Sequence, residues 1–152
     1  MGKNKILSRL AGLVEESQVA VMATADSEGK PYMRWMTPAV IDGRPASLFA
    51  VTSPKFRKIK QLEANPLVEW MIQTRDLNHI INLRGRITVV DNPSLKSEVL
   101  ESIGKRLEVF WRVNLKTEFV VLETAITQIT YFRPLERKRE TVSFVPEQGG
   151  DE

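Results

Sequence analysis

The sequence predicts a mainly β protein, a small antiparallel β-barrel of six to seven strands with two or three flanking helices. Three observations carry that expectation. Three strand-like segments joined by short turns precede the first internal helix, which excludes the regular alternation of strand and helix in a doubly wound parallel sheet. The later apolar segments alternate with a period of two, as strands with one wet side do. Both internal helix starts carry a polar cap followed by proline, Ser53-Pro54 and Asn92-Pro93, and each follows a strand-like run.

Taken in order, Ile6, Leu7, Leu10, Leu13 and Val14 recur at spacings of three and four between Lys3 and Glu16, which predicts an amphipathic helix. Gln18 to Ala25 has the small-residue, β-rich texture of a buried strand. Asp26 to Lys30 is a hairpin turn in which Gly29 supplies the positive φ. Pro31 to Ile41 is expected to return as one strand until Asp42-Gly43 turns the chain. With Leu48 to Val51 it should complete an antiparallel meander. In the second strand Tyr32, Arg34 and Met36 share one face, and Met33, Trp35 and Thr37 the other.

A helix is expected from Pro54 until Asn65-Pro66 ends it, then a strand from Leu67 to Gln73 and a connection over Thr74 to Leu77. Asn78 to Asp91 is long for one strand, and Gly85 in its middle predicts a bend or bulge. From Asn92-Pro93 a helix should run to about Arg112 with Leu95, Val99, Ile103, Leu107 and Phe110 as its buried stripe. Two strands follow, near Glu118 to Glu123 and Ile126 to Phe132. Residues 1–133 thus make one domain. Residues 134–152 read as a charged, mobile tail, with an edge strand over Val142 to Val145.

A chain of 152 residues fits a single core that buries about two thirds of the unfolded surface. Its net charge of +3 favours anionic ligands but falls short of the dense basic loading of a dedicated nucleic-acid binder. Cysteine is absent, which excludes disulfides, a thiolate nucleophile and cysteine-ligated metal; one histidine, His79, excludes multi-histidine metal sites. No Ser/His/Asp or Cys/His set can be assembled, so the catalytic residues are not named by the sequence. Charged residues interrupt the first apolar run, and no run reaches membrane-spanning length, so a cytoplasmic location without membrane attachment is the expectation.

The candidate binding stretch is Leu48 to Pro66. A strand that runs into a capped helix carrying Lys55, Arg57, Lys58 and Lys60 presents free N–H groups and cations together, which suits a phosphate. The plainer alternative is an amphipathic helix with Phe56, Ile59 and Leu62 on the core side and solvated lysines. Arg34, a charge within an apolar strand, is the second candidate, because burial is expensive without a paired or polar ligand.

These residues together resemble the pyridoxamine phosphate oxidase-like, FMN-binding split-barrel superfamily, and its short general-stress-protein members in particular. Val51-Thr52, the five-residue step to Arg57-Lys58, then Gln61 and Asn65-Pro66 match its phosphate segment. Arg34 opens its other flavin segment, RWMTP, and Gly85 stands where the family has a glycine within a strand. The resemblance implies that Arg57 and Lys58, helped by Arg34, hold the FMN phosphate. It implies that Trp35, Met36, Thr37, Val51 and Thr52 line the ring, and that Trp111 of a homodimer reaches the partner's flavin. It further implies flavin-dependent oxidoreduction of a small molecule, with flavin storage or sensing without turnover as the alternative. Two departures narrow this. Ile80 replaces the oxidases' flavin-contacting glutamine, and the tail has no histidine, so vitamin B6 oxidation is not expected and the deazaflavin coenzyme F420 is a second cofactor reading. A nucleic-acid barrel stacking bases on Tyr32, Trp35 and Trp70 is the reading from another class, and haem ligation would lean on His79 alone.

Overall fold

Eight antiparallel strands build a single curled sheet, with helices against its two faces, in a computed structural model that describes residues 1–52, 57–103 and 119–144. Of Arg57 and Lys58 it describes the backbone only. Helix α1 (Lys3–Ser17) buries the five predicted apolar residues. It ends where Gln18, at φ 62°, turns its N–H onto the Val14 carbonyl. Strands β1 (Ala20–Ala25) and β2 (Pro31–Met36) form the predicted hairpin. Asp26 Oδ1 accepts from the N–H groups of Glu28 and Lys30 at 2.9 and 2.8 Å, and Gly29 takes φ +83°.

The predicted meander breaks at Thr37-Pro38. β3 (Ala39–Ile41) does not continue β2 but pairs with β4 (Arg44–Thr52), and these two lie at the opposite end of the strand order from the β1–β2 hairpin. Proline cannot donate to a ladder and restricts the residue before it, so the chain leaves one sheet edge and joins the other. This crossing splits the barrel.

Helix α2 (Arg57–Ala64) leads into β5 (Leu67–Gln73) and then β6 (Ile80–Val90), whose residues 81, 83, 85 and 87 are buried while 84, 86 and 88 are exposed. Asn92 caps α3 (Pro93–Ile103) as predicted: its Oδ1 accepts from the Leu95 N–H at 3.0 Å. The expected extension of this helix to Arg112 lies outside the described residues.

Beyond it, the two predicted strands are one. β7 (Val120–Arg133) pairs with β6 from Val121 to Phe132. On its other edge it takes β4 from Val120 to Ala125 and β8 (Lys138–Ser143) from Gln128 to Arg133. Partners on both edges carry the strand through Thr124 and Ala125, where local pattern suggested a break. The edge strand expected at Val142 begins earlier, at Lys138.

The predicted irregularity at Gly85 is present as a register shift between Arg84 and Gly85. A Cβ there would lie 2.5 Å from both the Ala125 carbonyl oxygen and Thr124 Cγ2, so glycine is what lets β7 approach. The main core fills the inside of the sheet under α1 and α2, with Trp70, Leu83, Leu122 and Tyr131 almost fully buried. A second core forms where Phe49, Val51 and Val121, on the other face, meet Leu95, Val99 and Ile103 of α3. Strand alternation sends Leu48 and Ala50 to the first core and Phe49 and Val51 to the second.

Candidate functional site

The polar residues of interest collect where α2 meets β1 and β2. β1 places Thr24 and β2 places Arg34 on the inward face, two residues from Met22 and Met36 of the core. From α2, Gln61 enters between them, 8% exposed. Its Oε1 accepts from Thr24 Oγ1 and from Arg34 Nη2, each at 3.3 Å. Arg34 therefore reaches the helix that begins with Arg57-Lys58, at a residue one turn further on.

The second nitrogen of the fork is unsatisfied. Arg34 Nη1 is buried and has no hydrogen-bond partner among the described residues, and burial pushes the guanidinium below its ordinary pKa. Thr52, the last residue of β4, is 1% exposed, and its Oγ1 also lacks a partner among them. A buried donor left unmade costs about 1–3 kcal/mol, more when charged. The third such atom among the described residues, Arg133 Nε, belongs to a guanidinium already held by Glu140 at 2.7 Å and Glu136 at 3.7 Å. Arg34 has no carboxylate partner at all among the described residues. A cation with a free, dry N–H is the donor an anionic oxygen needs, so the residues present fit a phosphate-bearing group.

The remaining predicted residues are dispersed. Met36, 8% exposed, belongs to the main core, and Val51, 7% exposed, packs toward α3. Thr37 is half-buried at the end of β2. Trp35 and Met33 stand on the outer face, 72% and 73% exposed. The side chains of Arg57 and Lys58, and all of Trp111, lie outside the described residues. Trp70 is 1% exposed, its Nε1 donating to Thr124 Oγ1 at 3.1 Å, which removes it as a stacking platform. Thr24 was not among the predicted site residues, and Gln61 was named only within the matching segment, with no role assigned. A polar Gln four residues after Arg57 was the available signal for one of them, and cross-strand placement alone revealed the other.

Beside Thr24 a cleft of about 380 Å³ runs past Ala23, Ala25, Asn65 and Leu67 to Gly85. It joins the β1 edge of the polar cluster to the bulge, within the size range of small-molecule sites. Among the described residues no group of three His, Asp or Glu could hold a metal ion, and no helix is long and apolar enough to cross a membrane.

This fold and site define a class of split-barrel proteins, and the comparison with known families agrees. Residues 6–133 match the pyridoxamine 5'-phosphate oxidase family model, and the chain belongs to that family. Among solved structures it is similar to a protein related to general stress protein 26, of the pyridoxine phosphate oxidase family, from Clostridium acetobutylicum. The TM-score there is 0.72 at 19% identity, over 94% of this chain and 97% of the other. A nimC/nimA family protein from the same organism gives 0.69 at 21% identity over 90% and 93%. A pyridoxamine 5'-phosphate oxidase-related, FMN-binding protein from Nostoc punctiforme gives 0.64 at 11% identity over 91% and 96%. At these identities the structures establish the shared fold. No curated protein matches the chain.

Proposed function

We propose that this chain binds FMN and serves as a flavin-dependent oxidoreductase for a small molecule. The observation that carries the reading is the buried, unpartnered Nη1 of Arg34, held by Gln61 one helical turn after Arg57-Lys58. Family membership and the FMN-binding relative support it.

In this reading Arg34 donates to a phosphate oxygen through Nη1 while Gln61 fixes its other nitrogen. Thr52 Oγ1, buried without a partner, supplies a further hydroxyl. Arg57 and Lys58 complete the charge at the start of α2, where the helix dipole favours an anion. The side chains of Met36 and Val51 are committed to the two cores, so the ring, expected from the resemblance beside residues 35–37 and 51–52, would meet backbone groups there. The flavin, when bound, supplies the hydride and electron chemistry, and the protein supplies orientation and water exclusion. The substrate is left to the flavin's exposed surroundings. Vitamin B6 oxidation is not part of the proposal, since Ile80 and the histidine-free tail depart from that pattern.

The assembly belongs to the same proposal. Trp35, Met33 and Met71 are exposed on the outer faces of β2 and β5, and Trp35, Val21 and Met71 are register neighbours. A row of this kind is the composition of an interface core, and a second copy of the chain is its proposed occupant, in a cytoplasmic homodimer with flavin at the seam.

The test is the visible spectrum of the purified protein with and without added FMN, followed by sedimentation. A flavin band that co-migrates with a dimer, and NAD(P)H oxidation that depends on it, supports the proposal. Absence of binding at micromolar protein would remove it, and tight binding without turnover would reduce it to flavin storage.

A further inference from the structure

A cavity of about 420 Å³, sharing no lining residue with the Arg34 corner, lies between α1 and the β5–β6 connection. Its floor is Thr74, His79 and Tyr131, and its wall is one face of α1, with Lys5, Ser8, Arg9, Gly12 and Glu16 at spacings of three and four. We infer that this cavity is a second ligand site, for a small anion, separate from the Arg34 corner.

Three features built into the chain support it. First, the imidazole at its floor is fixed. The connection is tied by Thr74 N–H to the His79 carbonyl at 3.0 Å and by His79 N–H to Thr74 Oγ1 at 3.2 Å. His79 Nδ1 bonds the Tyr131 hydroxyl, and the rings stack with centroids 5.9 Å apart. Tyr131 is 1% exposed, and its hydroxyl and Nδ1 can each donate to the other. With the hydroxyl as the donor, the imidazole proton lies on Nε2, the ring's remaining donor.

Second, the rim is positive. Lys5 and Arg9 are exposed and without ion-pair partners among the described residues, against the single carboxylate of Glu16. Two cations one turn apart, a free Ser8 hydroxyl and an imidazole N–H make a donor set for phosphate or carboxylate. Third, the wall carries a glycine facing open space, so a larger side chain there would project into the cavity. Gly12 sits in the middle of α1, where glycine is less favourable than alanine, and a Cβ built there meets nothing within 4 Å.

Since the chain has one histidine, its imidazole signals report this site alone. The full chain is titrated with inorganic phosphate and, separately, acetate at constant pH and ionic strength, and the His79 ring resonances are followed by NMR. A saturable shift is expected with at least one probe, and the responding probe identifies a phosphoryl or a carboxylate ligand. Arg9→Ala should weaken it about tenfold, the loss of one charge-assisted contact. Gly12→Leu, which fills the cavity and favours the helix, should abolish it while the fold persists. Arg34→Met should leave it unchanged, so success or failure here is distinct from that of flavin binding. No saturable shift with either probe, or a shift that survives Gly12→Leu, overturns the inference.

Discussion

The connection at residues 74–79 and the corner around Arg34 are both polar, and they differ in whether their groups are satisfied. In the connection the named groups pair with one another: Thr74 Oγ1 and the Asn78 N–H both reach Asp76 Oδ1, at 2.7 and 3.0 Å, and His79 is bonded on both backbone and ring. At the corner one carbonyl oxygen of Gln61 serves two donors, while Arg34 Nη1 and Thr52 Oγ1 have no partner among the described residues. The first region holds itself. The second is assembled by the strands around it and left with two groups unpaired, which is what a binding site looks like before its ligand arrives.

The largest expected effect tests the satisfied kind. Trp70→Ala removes a core ring and its bond to Thr124, and should lower unfolding stability by about 3–5 kcal/mol in urea titration. Arg34→Met should behave in the opposite manner. FMN affinity should fall by about 1.5–3 kcal/mol, roughly ten- to a hundredfold by fluorescence titration, while the unliganded protein melts no lower than the parent. An unliganded protein that loses stability would mean the guanidinium already has its partner.

Thr74→Val sharpens the contrast from the other side. It strips the hydroxyl that joins Asp76 to His79, and should cost about 1–2 kcal/mol of stability with FMN affinity unchanged. The smallest effect is in acid. The Thr74 hydroxyl, then the Asn78 N–H, holds the Asp76 carboxyl below the ordinary carboxylate range. Because the folded value is lowered, this contribution is complete above the ordinary value near 4 and is lost as pH falls through the lowered one. Stability against pH should therefore drop less steeply in acid for Asp76→Asn.

Much of this arrangement was legible in the sequence because its signals are local. The stripe of α1, the Asp26 turn, the Asn92 cap and the glycine in β6 each depend on residues within a few positions, and all are present. What escaped reading depends on pairing across the sheet. The strand expected from Pro31 to Ile41 ran straight through Pro38, and nothing nearby says that β3 joins the opposite edge. The continuity of β7 comes from β4, β6 and β8 along its edges. At the site, Arg34 was conspicuous as a charge among apolar residues, whereas its contact with Gln61 spans 27 positions and requires α2 to lie over β1.

The central claim is that Arg34 is kept dry and unpaired for a phosphate. Parallel equilibrium dialysis of FMN and riboflavin, which share the ring and differ in the phosphate, measures it most directly. The account predicts that FMN binds at least about tenfold tighter than riboflavin and that Arg34→Met erases most of the gap. Equal affinities for the two in the parent protein would contradict it.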